Sequence, residues 1–347
     1  MTDIIYDKFV YGSELTAEQW SKLQYRPTDN DDLYSIVENP SFGIDKSELI
    51  NTKIIEYNAT EKLNTLWVQN NTDFEKNTWN PETGDGLLYL NSDVTEIGYS
   101  AFNWNTYIIS IKIPYGITLI NNMAFNKCAN LISVELPHTI TCIGDEAFNK
   151  CNNLTSINFP NSLITIGKKA FEDCTKLKNI TLPNSLITIE QRAFAWCSSL
   201  TSVIVPDSVT SIGEFGFGNC EKIETAYLSN NITILERQLF YSAKSLVSIN
   251  IPNKTTTIKS FAFGGFNNKL TTITLPSNVT LIQDSAFGDC PQLSTVFCYA
   301  INPPILGDHN FIRNTDTLYV PAESVQAYLA DSSWNTAFNG NIQAMPE

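Results

Sequence analysis

The sequence predicts an α/β solenoid, in which one short unit is repeated along an axis and each coil buries its apolar edge only against its neighbours. Three residue types carry this prediction, because phenylalanine, proline and cysteine each recur with a period of 23 residues. The phenylalanines are Phe102, Phe125, Phe148, Phe171, Phe194, Phe217, Phe240 and Phe263, followed after 24 residues by Phe287.

Proline and cysteine repeat at two other positions of the unit. Cysteine prefers buried sites and behaves there as a small apolar residue, so its recurrence indicates a core position, which Ala243 fills in one coil. A ladder of disulfides or metal sites is the alternative. The residues are Pro114, Pro137, Pro160, Pro183, Pro206, Pro252 and Pro276, with Ser229 as the exception, and Cys128, Cys151, Cys174, Cys197, Cys220 and Cys290.

The unit LISVELPHTITCIGDEAFNKC shows how one coil is built. The alternation S-V-E-L predicts a strand with one buried face, and Pro137 ends it because proline has no N–H for a ladder. Ile140 and Ile143 predict a second short extended segment, and Gly144 allows a turn. The spacing of Phe148 and Cys151 then predicts a short helical turn that closes the coil.

These residues resemble the BspA-like leucine-rich repeats of the gut Bacteroides type, whose pattern is LxxIxLPxxVxxIGxxAFxxC. The resemblance covers residues 87–298 and implies a curved right-handed superhelix of short parallel strands and helical turns. Nine coils at about 4.8 Å per strand would be roughly 40 Å long. The resemblance also implies a function in adhesion.

The two ends of the array follow other patterns. Residues 299–347 predict a C-terminal cap with a strand at Leu318–Val320, a helix from about Ala322 and an aromatic plug formed by Trp334 and Phe338. Residues 46–86 predict irregular N-terminal coils or a cap. Residues 1–45 predict a helix and a strand, and their pattern is loosely similar to N-terminal attachment segments of phage tail proteins. An ordinary cap is the alternative.

Composition excludes several classes of function. The formal charge is −14, and a field of that sign repels nucleic acid. Hydrophobic residues make up 43% of the chain, but no apolar run is long enough to predict membrane insertion. The first residues, MTDIIYD, lack the basic head of a signal peptide, so either secretion is not encoded or the signal has been removed.

We find no pattern that predicts an enzyme or a cofactor. The two histidines lack metal-binding spacing, and no nucleophile, phosphate or dinucleotide motif is present. Pairs of carboxylates such as Glu172 and Asp173 occur in the coils, but neighbouring coils carry Lys or Arg nearby, which favours a solvated face. Trp104 and Trp196 each follow a repeat phenylalanine by two residues and indicate either a second aromatic site or local packing.

One outward-facing position of the predicted strand differs from repeat to repeat, whereas the apolar residues around it recur. We call the residues at this position the variable row. Variation on a rigid scaffold is typical of a ligand-binding surface, and drift at solvent positions is the alternative. The predicted ligand-binding residues are Lys112, Glu135, Asn158, Thr181, Ile204, Tyr227, Asn250, Thr274 and Phe297.

The sequence therefore predicts a non-enzymatic recognition or adhesion protein that binds a protein or glycan on a cell or matrix surface. Its N-terminal segment favours a phage virion protein that recognises a host cell. A bacterial cell-surface adhesin whose signal peptide has been removed, or a structural virion protein without a ligand, is the alternative. Neither the ligand nor the oligomeric state follows from the sequence.

Overall fold

The computed structural model describes residues 53–63, 74–90, 94–267, 269–311 and 317–346. The helix, strand and attachment segment predicted within residues 1–45 lie outside the described residues. Elsewhere the chain forms a solenoid of stacked coils, and most regular coils contribute one short strand to each of two faces. The coil of Thr181 has a strand on the second face only, so the first face is interrupted between β9 and β12. The predicted repeat architecture is confirmed.

The first face contains the strands that alternate between buried and outward-facing residues. Val134, for example, is buried between Ser133 and Glu135, as the S-V-E-L pattern predicts. The strands of this face are β1 (Lys53–Ala59), β2 (Phe74–Trp79), β3 (Asp85–Leu90), β5 (Ile108–Lys112), β7 (Ser133–Glu135), β9 (Ser156–Ile157), β12 (Ser202–Ile204), β14 (Thr225–Tyr227), β16 (Ser248–Ile249), β18 (Thr272–Leu275), β20 (Thr295–Cys298), β22 (Thr317–Val320) and β23 (Ile342–Ala344).

The second face is built from two-residue strands after the repeat proline. The first residue of each strand faces outward and is polar in some coils and apolar in others, while the second residue of nearly every strand is buried. The strands are β4 (Glu96–Ile97), β6 (Leu119–Ile120), β8 (Cys142–Ile143), β10 (Thr165–Ile166), β11 (Thr188–Ile189), β13 (Ser211–Ile212), β15 (Ile234–Leu235), β17 (Thr257–Ile258), β19 (Leu281–Ile282) and β21 (Ile305–Leu306).

Strands of neighbouring regular coils pair in parallel, and the paired residues occupy the same position of successive repeats. Ser202 thus lies beside Thr225, and Ile204 lies beside Tyr227. The first face consists of three sheets in the orders β2-β3-β1-β5-β7-β9, β12-β14-β16 and β18-β20-β22-β23. The second face consists of two sheets, β4-β6-β8-β10-β11-β13 and β15-β17-β19-β21.

The prediction of a helical turn around each repeat phenylalanine is wrong. Phe125 donates its N–H to the carbonyl oxygen of Ala147 in the next coil (2.7 Å), whereas the N–H of Asn126 bonds to Met123 three residues back (3.0 Å). Met123 and Lys127 have positive φ angles of 58° and 61°. This alternation sends every second N–H to the neighbouring coil, which an α-helix cannot do because its N–H groups all bond within the helix.

The repeat phenylalanines form a continuous stack along the centre of the solenoid. Neighbouring rings are nearly parallel, with centroids 5.0–6.1 Å apart, and almost all of them are fully buried. The stack extends beyond the predicted repeat region, since Phe311 lies 5.2 Å from Phe287. Stacking and burial of this kind give each coil a large share of its packing energy.

The recurring cysteines are free thiols that donate to the neighbouring coil, so the predicted core position is confirmed and the disulfide ladder is wrong. Each Sγ lies 3.0–3.2 Å from the carbonyl oxygen of the repeat phenylalanine one coil earlier, as in the bond from Cys174 to Phe148. Burial raises the pKa of the thiols of Cys151, Cys174, Cys197, Cys220 and Cys290, to about 12 for Cys290, which keeps these thiols protonated and able to donate.

The spacing of the phenylalanine rings follows these thiol bonds. Six steps of the stack have a thiol bond from one coil to the previous one, and their ring centroids are 5.0–5.4 Å apart. The coil of Phe240 carries Ala243 instead, and its ring lies 5.6 Å from Phe217. In the next coil Asn267 reaches the carbonyl oxygen of Phe240 at 3.5 Å, and the rings are 6.1 Å apart.

Antiparallel strands cover the N-terminal end of the regular coils. Strand β1 pairs with β3 on one side and with the first regular strand, β5, on the other. The ring of Tyr57 packs over Gly86, where a Cβ atom would meet it at 2.1 Å, and its hydroxyl donates to Asn77 at 2.8 Å. This close approach explains why strand β3 contains glycine at that position.

The C-terminal cap has the strand, helix and aromatic plug that the sequence predicts. A short 3₁₀ helix (Ala322–Ser324) leads into α1 (Val325–Ala330) and α2 (Ser332–Ala337). Trp334 and Phe338 are buried against Phe311, and the buried Tyr328 packs on Trp334, so the plug covers the end of the phenylalanine stack. Within the described ranges, no helix has the length and apolar character needed to cross a membrane.

Candidate functional site

The variable row forms a line of side chains across the first face of the solenoid. Strand register places Lys112 beside Glu135, Ile204 beside Tyr227, and Thr274 beside Phe297. Of the nine predicted residues, all are exposed except Asn250 and Phe297, which are partly buried. The structure therefore brings the predicted residues together on one surface, but it does not give them one role.

Both caps extend the variable row, which sequence reasoning missed. At the N-terminal end Glu56 lies beside Lys112, and Leu87 lies beside Glu56 on the opposite side. At the C-terminal end Tyr319 lies beside Phe297, followed by Gln343. The cap strands do not follow the 23-residue period, so only the pairing of strands reveals their register.

Two members of the row bond to the backbone of the preceding coil. The amide of Asn158 accepts from the Leu136 N–H at 2.8 Å and donates to the Leu136 carbonyl at 2.9 Å. Asn250 makes the same pair of bonds with Leu228, at 2.7 and 3.1 Å. These amides complete the hydrogen bonding beyond the ends of β9 and β16, so their first role is to hold adjacent coils together.

Ile204 and Tyr227 are the most exposed large apolar side chains of the row, at 69% and 59%. They stand on the adjacent strands β12 and β14, whose inward residues Val203 and Ala226 are buried in the core. The N–H of Val205 donates to the Tyr227 carbonyl at 2.8 Å. Backbone bonds and inward residues therefore hold the strands that carry both side chains without using the side chains themselves.

A second aromatic pair lies near the C-terminal end of the row. The rings of Phe297 and Tyr319 are stacked, with centroids 4.9 Å apart and an interplanar angle of 15°. Each ring covers part of the other, so both are only partly exposed. The stack joins the last regular coil to the cap strand β22 and still leaves an aromatic surface open to solvent.

The two tryptophans on the turn side differ in their surroundings. Trp196 packs 4.9 Å from Phe215, with the Arg192 guanidinium 4.9 Å from its ring centroid, so local packing accounts for it. Trp104 is 62% exposed, and the Nζ atom of Lys127 lies 3.8 Å from its ring centroid. The structure does not combine the two tryptophans into one site.

Glu172 contradicts the prediction of a solvated acidic face on the turn side. Its side chain is buried, and Oε1 lies 2.8 Å from Nε of Arg192. Burial raises the pKa of Glu172, while the positive charge of Arg192 opposes that rise. Throughout the part of the chain that the structure describes, no three His, Cys, Asp or Glu side chains are grouped so that they could hold a metal ion.

The repeats match a known family, described as BspA type Leucine rich repeat region, over residues 87–186 and 164–294 in six copies. No curated protein matches the chain. Among solved structures, the chain is similar to a leucine-rich repeat protein from Bacteroides ovatus, with 23% identity and a TM-score of 0.47. That alignment covers 61% of this chain and 66% of the Bacteroides protein.

Two further structures are similar at the same low level of identity. The leucine rich repeat protein of T. pallidum is 23% identical, with 67% of this chain and 91% of that one covered and a TM-score of 0.45. A leucine rich cell surface protein from Faecalibacterium prausnitzii is 17% identical, with 80% and 96% covered and a TM-score of 0.41. The repeat match alone spans more than half of the sequence, and the chain belongs to the BspA-type leucine-rich repeat family.

Proposed function

We propose that the protein is a non-enzymatic recognition protein that binds a protein or glycan on a cell surface through the variable row. The observation that carries this proposal is the pair Ile204 and Tyr227, which lie side by side, are largely exposed and are fixed on paired strands. Adjacent exposed apolar side chains on a rigid surface are typical of the central residues of binding interfaces.

The fold does not need apolar side chains at these two positions. The same row contains Thr181 and Thr274 in other coils of the same architecture, and both are exposed. The buried residues of β12 and β14 supply the contacts with the core. Ile204 and Tyr227 thus add apolar surface without adding to the packing of their own coils, which supports a role in contact with a ligand.

The test is the double variant Ile204→Ser/Tyr227→Ser, assayed by binding of the fluorescently labelled full chain to a panel of bacterial and animal cells. We expect attachment to weaken by about tenfold or more, since loss of a central aromatic residue typically costs over 1 kcal/mol. The thermal unfolding midpoint should change by no more than about 1 °C, because exposed side chains contribute little to stability.

The matched control is Ile164→Ser/Ile187→Ser on the second face. These residues also lie in adjacent coils and are 46% and 40% exposed, so the control removes a similar apolar surface from outside the row. Attachment of the control should equal that of the wild type. Equal loss in both variants, or no loss in the Ile204/Tyr227 variant, would contradict the assignment of the site.

A narrower proposal concerns whether the protein is part of a phage virion or lies on a bacterial cell surface. Its N-terminal resemblance favours a phage virion protein that recognises a host, and a bacterial cell-surface adhesin is the alternative. Tail genes beside the coding sequence would support the virion, whereas surface-polysaccharide genes would support the adhesin. Failure of the full chain to attach to any cell would favour the remaining alternative, a structural virion protein without a ligand.

A further inference from the structure

The N-terminal end of the variable row lies in a groove that sequence analysis did not reveal. The groove has a volume of about 750 Å³ and runs over strands β2, β3, β1, β5 and β7. Its lining includes Leu87, Glu56, Lys112 and Glu135, which occupy consecutive positions of the row. The groove is therefore continuous with the proposed binding surface.

The charge of the groove is unbalanced. Its charged lining residues are the three carboxylates Glu56, Asp85 and Glu135 and the single ammonium group of Lys112. The Lys112 Nζ atom lies 3.4 Å from Glu56, so one carboxylate is already paired. Hydrogen bonds from Asn58 and Thr83 lower the pKa of Asp85, which keeps this carboxylate ionised at neutral pH.

The rest of the row is neutral. From Asn158 through Tyr319 it contains only amide, hydroxyl, aliphatic and aromatic side chains. Glu135 and Ile204 are three coils apart, which corresponds to about 14 Å at the usual distance between strands. The surface thus presents an acidic groove at one end and an exposed apolar pair about 14 Å away.

We propose that this groove receives a lysine or arginine side chain of a partner protein whose apolar side chains cover Ile204 and Tyr227. This inference rests on the proposed function and specifies the partner as a protein segment with a basic and an apolar part. Charge complementarity is the reason, because a cation entering the groove meets more negative than positive charge. An acidic glycan would be repelled by these carboxylates, and a neutral glycan would gain hydrogen bonds to them but no attraction between opposite charges.

An array of synthetic peptides tests the proposal with the full chain. Each peptide carries one Lys or Arg separated by four to six residues from a Leu-Tyr pair, since an extended chain spans about 3.3 Å per residue. Matched peptides carry Gln instead of the basic residue. We expect the wild type to bind the basic peptides about fivefold more tightly than the Gln peptides, as for a favourable exposed ion pair.

The variant Glu56→Gln/Glu135→Gln should bind the basic and Gln peptides equally. The control Glu146→Gln/Glu214→Gln changes two carboxylates outside the groove, each of which pairs with a basic side chain, and it should keep the fivefold preference. The inference is overturned if the wild type shows no preference for basic peptides, if no peptide binds, or if the Glu56/Glu135 variant keeps the preference.

Two results separate this inference from the proposed function. If the Ile204/Tyr227 variant loses attachment to cells while the Glu56/Glu135 variant keeps the wild-type peptide preference, the binding surface stands and the basic partner is wrong. If the Ile204/Tyr227 variant attaches normally, the proposed function itself fails.

Discussion

The cysteine position offers a reciprocal test of what holds adjacent coils together. Cys174 is fully buried, and its thiol donates to the Phe148 carbonyl at 3.2 Å. Ala243 occupies the same repeat position, equally buried, in a coil that lacks this bond. Cys174→Ala should therefore destabilise the protein, and Ala243→Cys should stabilise it by restoring a thiol bond to Phe217.

The magnitude of the Cys174→Ala effect follows from two terms. Removing a buried atom of about the size of a methylene group costs about 0.8 kcal/mol or more, including the small cavity that remains. Loss of a weak hydrogen bond, with the carbonyl left to its other partners, adds about 0.5 kcal/mol. We expect a loss of about 1–2 kcal/mol for Cys174→Ala and a gain of about 0.5–1 kcal/mol for Ala243→Cys.

Urea unfolding of the full chain under reducing conditions measures both changes. The ring spacing beside Ala243 is 5.6 Å, against 5.0–5.4 Å at the thiol-bonded steps. Cys174→Ser is a useful companion because it retains a donor at the same site. The reasoning is refuted if Cys174→Ala unfolds like the wild type, or if Ala243→Cys is destabilising.

Two other changes test the roles of single side chains. Asn158→Ala should cost about 1–2 kcal/mol of unfolding free energy because it removes both bonds to Leu136, whereas Thr181→Ala in the same row should change it by less than about 0.5 kcal/mol. Equal effects would contradict a structural role for the amide. Because burial raises the pKa of Glu172 in the folded state, the stability of the wild type relative to Glu172→Gln should fall as pH rises above 4.5. Urea unfolding at pH 4 and pH 7 measures this difference, and a constant difference would show that the burial of Glu172 is not linked to its protonation.

The strands could be predicted from the sequence because their signal is local. The alternation around Val134 and the repeat proline specify which side chains point inward. Because the repeat length is constant, the same assignment applies to the equivalent residues of the next coil. The turn could not be predicted in the same way. Ala147, Phe148 and Cys151 have helical spacing, but positive φ angles at Glu146 and Lys150 create the same inward spacing without a helix.

The binding surface was only partly predictable, for a different reason. Outward direction follows from alternation, so the nine row residues could be placed on one face. Burial and hydrogen bonding depend on neighbours 22 residues away, as for Asn158 and Leu136, and these contacts have no signature in a single repeat. The groove needs the antiparallel strand that contains Glu56, whose pairing with Lys112 does not follow the repeat.

Two steps of the phenylalanine stack, from Phe217 to Phe240 and from Phe240 to Phe263, have the widest ring spacing. Their position indicates which parts of the variable row are held together most closely. The step from Phe217 to Phe240 coincides with the break between the two sheets of the second face, and the step from Phe240 to Phe263 coincides with a break in the first face. The groove and the Ile204–Tyr227 pair both precede these steps. Phe297 follows them, so its distance from Tyr227 depends on contacts that are weaker than those elsewhere in the stack. Five thiol-bonded steps join the coils of the groove to those of the apolar pair, although the first face itself is interrupted between β9 and β12. The closely spaced phenylalanine stack beneath these coils favours this segment over the C-terminal aromatic pair as the primary contact.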